Sequence, residues 1–164
     1  MTPTELETSF KQLMAQQRTG SLATITNQGL PYVSMAPFAI DRESAQFIIH
    51  ISELAAHTRY LMQRPQASFM VCASEVPGEP VRGLPRVSYQ VEATDLARGT
   101  PAWEAAEKHY LERFPNSAPI LTELKDFHLF ALKIVRARQV AGFGAAKTLA
   151  LPDIQRWLQE PFAP

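Results

Sequence analysis

The spacing of apolar and polar positions changes several times along the chain. Near the start, Leu6, Phe10, Leu13 and Met14 recur at helical spacing. Thr2 or Thr4 supplies a cap and Pro3 suits a first turn. The pattern therefore predicts a helix over about 3–18, ended by Gly20. The period then drops to two. Residues 21–26 alternate as a strand, Asn27-Gln28-Gly29 is a turn, and 30–40 is rich in β-formers. Pro37 interrupts that second segment, which marks an edge or a bulge. After a turn at 41–44, Gln46–Ser52 gives a third strand. Spacing this close predicts an antiparallel meander, because parallel strands need long crossovers.

Helical spacing resumes in the stretch IHISELAAHTRYL, residues 49–61. Ser52 reads as its N-cap, and Leu54, Ala55, Thr58, Leu61 and Met62 as its buried face. The helix ends before Pro65, and 66–73 is a fourth strand. Residues 74–85 carry three prolines and two glycines and read as a loop. A long strand at 85–96 follows, then a helix at 101–114 and a short one at 120–125. Strands at 127–135 and 138–143 close the sheet, and Leu151–Gln159 is a last helix. Six or seven antiparallel strands with helices between them predict a small closed or partly closed barrel. No repeat or linker divides residues 1–164, so one domain is expected.

Composition narrows the function classes. The formal net charge is zero, which gives no overall field to hold nucleic acid or an anionic membrane. Cys72 is the one cysteine and lies in an apolar run. An internal disulfide and a cysteine-rich zinc site are excluded, and a reducing cytoplasm is expected. Residues 1–14 are charged and amphipathic rather than signal-like, and no stretch has the length of a membrane span. There is no P-loop, no HExxH and no nucleophile elbow. Gly142-Phe143-Gly144 contains G-x-G, but outside a βαβ unit.

Four histidines remain. His50 and His128 alternate with apolar neighbours, and His109 sits among charged residues on a helix that exposes it to solvent. His57 is different, because Thr58 and Arg59 follow it at a helix start after a strand. Unpaired backbone N–H groups there suit a phosphate, to which His, Thr and Arg would add donors. On a regular helix, however, His57 and Arg59 stand about 200° apart. Either the helix starts later, near Ala56, or only part of the triplet meets a ligand.

The segments at 31–40, 51–71, 85–93, 126–133 and 140–146 occur in an order that resembles the flavin-binding split-barrel family related to pyridoxamine 5'-phosphate oxidase. They look most like its bacterial haem-utilisation branch. The resemblance implies a six-stranded antiparallel split β-barrel with helices (β+α). It implies a homodimer with the cofactor at the interface, and FMN as that cofactor, in an oxidoreductase acting on a small substrate. The alternative it implies is a haem-binding or haem-degrading protein. By resemblance, Val33, Ser34, Met35 and Ala36 line the flavin ring, and Ser52, His57, Thr58 and Arg59 lie at its phosphate. Arg86 faces the flavin, and Gly142, Phe143 and Gly144 form a turn close to it. The chain has Leu30-Pro31-Tyr32 and Met35-Ala36 where the oxidases carry basic residues. An axial haem ligand would be His57 or His128. No side chain stands out as acid, base or nucleophile.

Overall fold

The structure, a computed structural model, describes residues 2–162. Six strands make the barrel: β1 (Thr19–Ile25), β2 (Pro31–Asp41), β3 (Gln46–Ser52), β4 (Gln66–Cys72), β5 (Arg86–Asp95) and β6 (Phe127–Val140). They lie antiparallel in the order β3-β2-β1-β4-β5-β6, and β3 pairs back onto β6 from Phe47↔Leu132 to Ser52↔Phe127. This is the expected split barrel. A seventh strand, β7 (Ala146–Leu149), which the sequence pattern did not reveal, pairs with β6 outside the ring.

Two segments expected at 127–135 and 138–143 are one strand of 14 residues. Gln90 opposes Arg136 while Val91 opposes Ile134, so Val135 is the extra residue of a bulge. A bulge breaks the inward-outward alternation without ending the strand. That break is why the sequence divides there.

β2 changes partner along its length. Pro31–Pro37 pairs with β1, and pairing with β3 begins only at Phe38. Pro37 sits at the changeover, where its missing N–H removes no β3 bond. Residues 31–37 therefore have one neighbour, and their second edge is open. This is the split in the barrel.

The interior is packed by Phe38, Phe47, Phe69 and Tyr89, with ring centroids 4.8–5.6 Å apart. Gly20 belongs to this core and does not end the first helix. It lies in β1, and a Cβ there would stand 2.3 Å from Phe69 Cζ. The helix, α1 (Pro3–Gln16), stops earlier, at an extended Gln17. Its start follows expectation: Thr2 and Glu5 form a capping box ahead of Pro3.

A second, smaller core lies outside the barrel. On α3 (Pro101–Arg113), Trp103, Ala106 and Tyr110 share one face and cover Ala39, Ile48, Leu129 and Ala131, with Leu121 of α4 (Ala118–Glu123). At the other side α5 (Leu151–Gln159) sets Trp157 against Phe10 of α1, 5.2 Å between centroids. No described helix is long and apolar enough to cross a membrane.

Candidate functional site

The stretch after β3 does not enter its helix at once. The Glu53 N–H donates to the carbonyl of Asp126 (2.7 Å), the Ala55 N–H to that of Ser52 (3.1 Å), and residues 52–55 form a turn. The helix α2 (Ala56–Gln63) begins at Ala56, and its N-cap is Ala55, with no side-chain cap bond. The N-cap role expected for Ser52 is thus corrected. Its hydroxyl donates to Asp126 Oδ2 (3.2 Å) and accepts from the Leu54 N–H (3.1 Å). The buried face also shrinks to Thr58 and Leu61, because the later start leaves Leu54 in the turn, 83% exposed, and Met62 at the surface.

The later start separates the three polar residues. Thr58 is buried, and its hydroxyl donates to the Ser52 carbonyl (2.6 Å), so it holds the turn. Arg59 folds back over the turn, with Nη1 3.3 Å from the Glu53 carbonyl and 3.2 Å from that of Leu54. His57 points to β2, where its Nδ1 is 2.8 Å from Ser34 Oγ. The Ser34 hydroxyl also lies 3.4 Å from the Leu22 carbonyl, which can only accept. A Ser34 proton directed at that carbonyl makes Ser34 the acceptor of His57 Nδ1–H and places the lone pair at Nε2. Among the described residues Nε2 has no hydrogen bond. Burial lowers the pKa of His57, which keeps the ring neutral near pH 7.

The other histidines are engaged elsewhere. Both nitrogens of His128 face carboxylates, Glu53 Oε1 at 2.6 Å and Asp95 Oδ2 at 2.9 Å. His109 is not solvated as expected. Its Nε2 is 3.2 Å from Asp41 Oδ1, because α3 lays that face over the turn after β2. His50 is buried against Phe127 and Tyr110. Of the four, only His57 combines one tethered nitrogen with one open one.

What emerges is a site built from the open edge of β2, the uncapped start of α2 and His57 between them. The first N–H groups of an uncapped helix are donors without partners. Val33 and Met35 flank the edge, 67% and 60% exposed, and Ala36 is buried. Beside Pro31, a groove of about 480 Å³ crosses the outside of the sheet, lined by Ala23, Ile25, Gln90 and Val135. Arg86 and the glycine turn do not join the site within one chain. Arg86 donates to the Leu84 carbonyl (3.0 Å). Gly142–Gly144 forms the β6–β7 turn, where Phe143 stands over Gly83 and Gly144 uses a φ of +75°. Sequence reasoning missed Ser34 as the partner of His57, since no spacing rule links residues 23 apart.

The closed ring of six strands with its open β2 edge defines a split β-barrel protein. The pyridoxamine 5'-phosphate oxidase family matches residues 6–141, and the chain belongs to that family. It is similar to the protein named heme oxygenase HutZ of Vibrio cholerae serotype O1, 32% identical over 149 residues, which cover 91% of this chain and 84% of the relative. The crystal structure of HutZ, described there as a heme storage protein, aligns with a TM-score of 0.72, covering 79% of this chain and 89% of that one. The crystal structure of Campylobacter jejuni ChuZ aligns at 25% identity and a TM-score of 0.80, covering 93% of this chain and 62% of that one.

Proposed function

We propose that this chain binds haem at the β2–α2 site, with His57 as the iron ligand. The observation that carries the reading is the Ser34–His57 pair. A ligating histidine characteristically donates its second N–H to a fixed acceptor, which sets the tautomer and orients the ring. Ser34 does this for Nδ1, and Nε2 is left as a neutral donor atom. The open edge of β2 leaves room for a flat ligand beside His57, and the N–H groups of α2 suit its acid groups. Haem iron, when bound, supplies the redox chemistry, and this chain supplies the ligand atom and its surroundings. The similarity to proteins named for haem supports the reading.

Titration of the purified protein with hemin is expected to give a saturable Soret band at one haem per chain. His57→Ala is expected to weaken binding at least on the order of 100-fold, and Ser34→Ala about tenfold. An unchanged isotherm for His57→Ala removes that residue as the ligand.

FMN is the second reading, favoured by one observation. The unpaired edge of β2 at 31–36 presents backbone donors and acceptors to the polar rim of a flat ring, next to phosphate-binding N–H groups on α2. Two flavin bands after incubation with FMN, without a Soret band after hemin, select this reading, and bleaching of those bands by a reductant with recovery in air tests the oxidoreductase role.

The same surface argues for a homodimer. The exposed Val33 and Met35 continue into the groove beside Pro31, an apolar stretch of the kind that a second copy covers. A twofold assembly is expected in light scattering at micromolar concentration, and a monomer there counts against a shared site.

A further inference from the structure

His128 lies at the start of β6, opposite Ile51. Its two ring nitrogens meet carboxylates from two different elements: Asp95 at the end of β5 and Glu53 in the turn between β3 and α2. A neutral imidazole has a single N–H, so one carboxylate would face a lone pair. Only the imidazolium donates to both. Geometry alone thus specifies a charged ring. Burial works against that charge, but the hydrogen bonds the ring donates to Glu53 and Asp95 outweigh it and hold the pKa above the ordinary histidine value.

Glu53 connects this ring to the candidate site. Its side chain accepts from His128, its N–H is fixed on Asp126, and its carbonyl accepts from Arg59 of α2. We propose that His128 is a positioning residue for the β2–α2 site: as the imidazolium it anchors Glu53, and loss of its proton releases the turn that sets the start of α2. The ligand readout of this inference rests on the function proposed above; the structural readout does not.

Other charges near the ring do not take its place. His50 of β3 interacts with it electrostatically but is neutral near pH 7, with its pKa lowered to about 4 by burial first and by Arg98 and His128 after that. Asp126 is turned to Ser52, and Arg98 donates to the carbonyls of Leu121 and Leu124. The direction with pH follows. His128 has a raised folded pKa, so its anchoring is complete below about 6.5, the value of an unperturbed histidine, and is lost as pH rises through the folded value. His57, with a lowered pKa, gains its proton only on the acid side. The two groups therefore titrate on opposite sides of the ordinary histidine value.

The test combines a ring-proton NMR titration of His128, amide hydrogen exchange at residues 54–57 and hemin titrations at pH 6, 7 and 8.5. The expected ring midpoint lies above 6.5, and Glu53→Gln lowers it. Protection at 54–57 falls through the same midpoint, and wild-type haem affinity drops about tenfold across it. His128→Gln binds at the weaker level at every pH and shows no step. A ring midpoint at or below the ordinary value overturns the inference. So does a pH step in affinity that persists in His128→Gln. Absence of haem binding at any pH overturns the proposed ligand instead, and the ring titration and exchange in the wild type still decide the clamp.

Discussion

Phe69→Ala is expected to destabilise the protein by about 3–5 kcal/mol, read as a lower urea midpoint with an unchanged slope. Phe69 is fully buried and touches the rings of Phe38 and Phe47, at 5.4 and 5.6 Å. Its ring also fills the space over Gly20, the one residue in that part of β1 with no side chain to move into a cavity. Truncation therefore leaves a void that collapses poorly. The reverse change is informative. Gly20→Val in the wild type drives a branched side chain into the Phe69 ring and is expected to cost about 1–3 kcal/mol. In the Phe69→Ala background the valine enters the vacated volume. The double variant should then be more stable than the sum of the two losses by about 1–2 kcal/mol. Strict additivity would show that the two positions do not share one space.

The second large effect is acid lability through His50. The ring packs 4.8 Å from Phe127 and 5.6 Å from Tyr110, and its Nε2 is buried without a partner. Burial, helped by the positive charges of Arg98 and His128, lowers its pKa to about 4. The unfolded chain binds this proton near 6.5, so between the two values the unfolded state holds a proton that the native state lacks. Stability must fall as pH drops from about 6.5 and level off below the folded value. A difference of that size corresponds to about 3 kcal/mol. His50→Leu removes the titration. Urea unfolding from pH 7 down to 4.5 should show a steep loss in the wild type and a shallower one in the variant. Equal slopes would sink the assignment. His128 does not mask the effect, because its own contribution is fully present on the acid side.

Together these residues show what can be read one chain segment at a time. Strand alternation in 21–26, 46–52 and 66–73 and the short turns between strands are local signals. They sufficed for an antiparallel barrel, because each segment carries its own apolar face into the same core. The capping box at Thr2 was equally legible, since its partners are three residues apart. Gly20 misled for a related reason. A glycine after a helical pattern is a frequent helix stop, and nothing nearby in sequence announces the Phe69 ring that excludes a side chain there.

The sequence by itself determined an antiparallel barrel, the order of its elements up to β5 and a polar triplet beside a helix start, and its resemblance to a family supplied the split. Which member of that triplet is left open to solvent-side partners was decided only in three dimensions. Asp126 takes the Glu53 N–H and so delays α2. The delay buries Thr58, folds Arg59 onto the turn and turns His57 to Ser34. The His128 clamp likewise joins residues 33 and 75 apart in the chain. The physical reason is the same in each case. Hydrophobic period and turn chemistry act over a few residues, whereas a hydrogen bond across the barrel exists only once β3, β5 and β6 have paired.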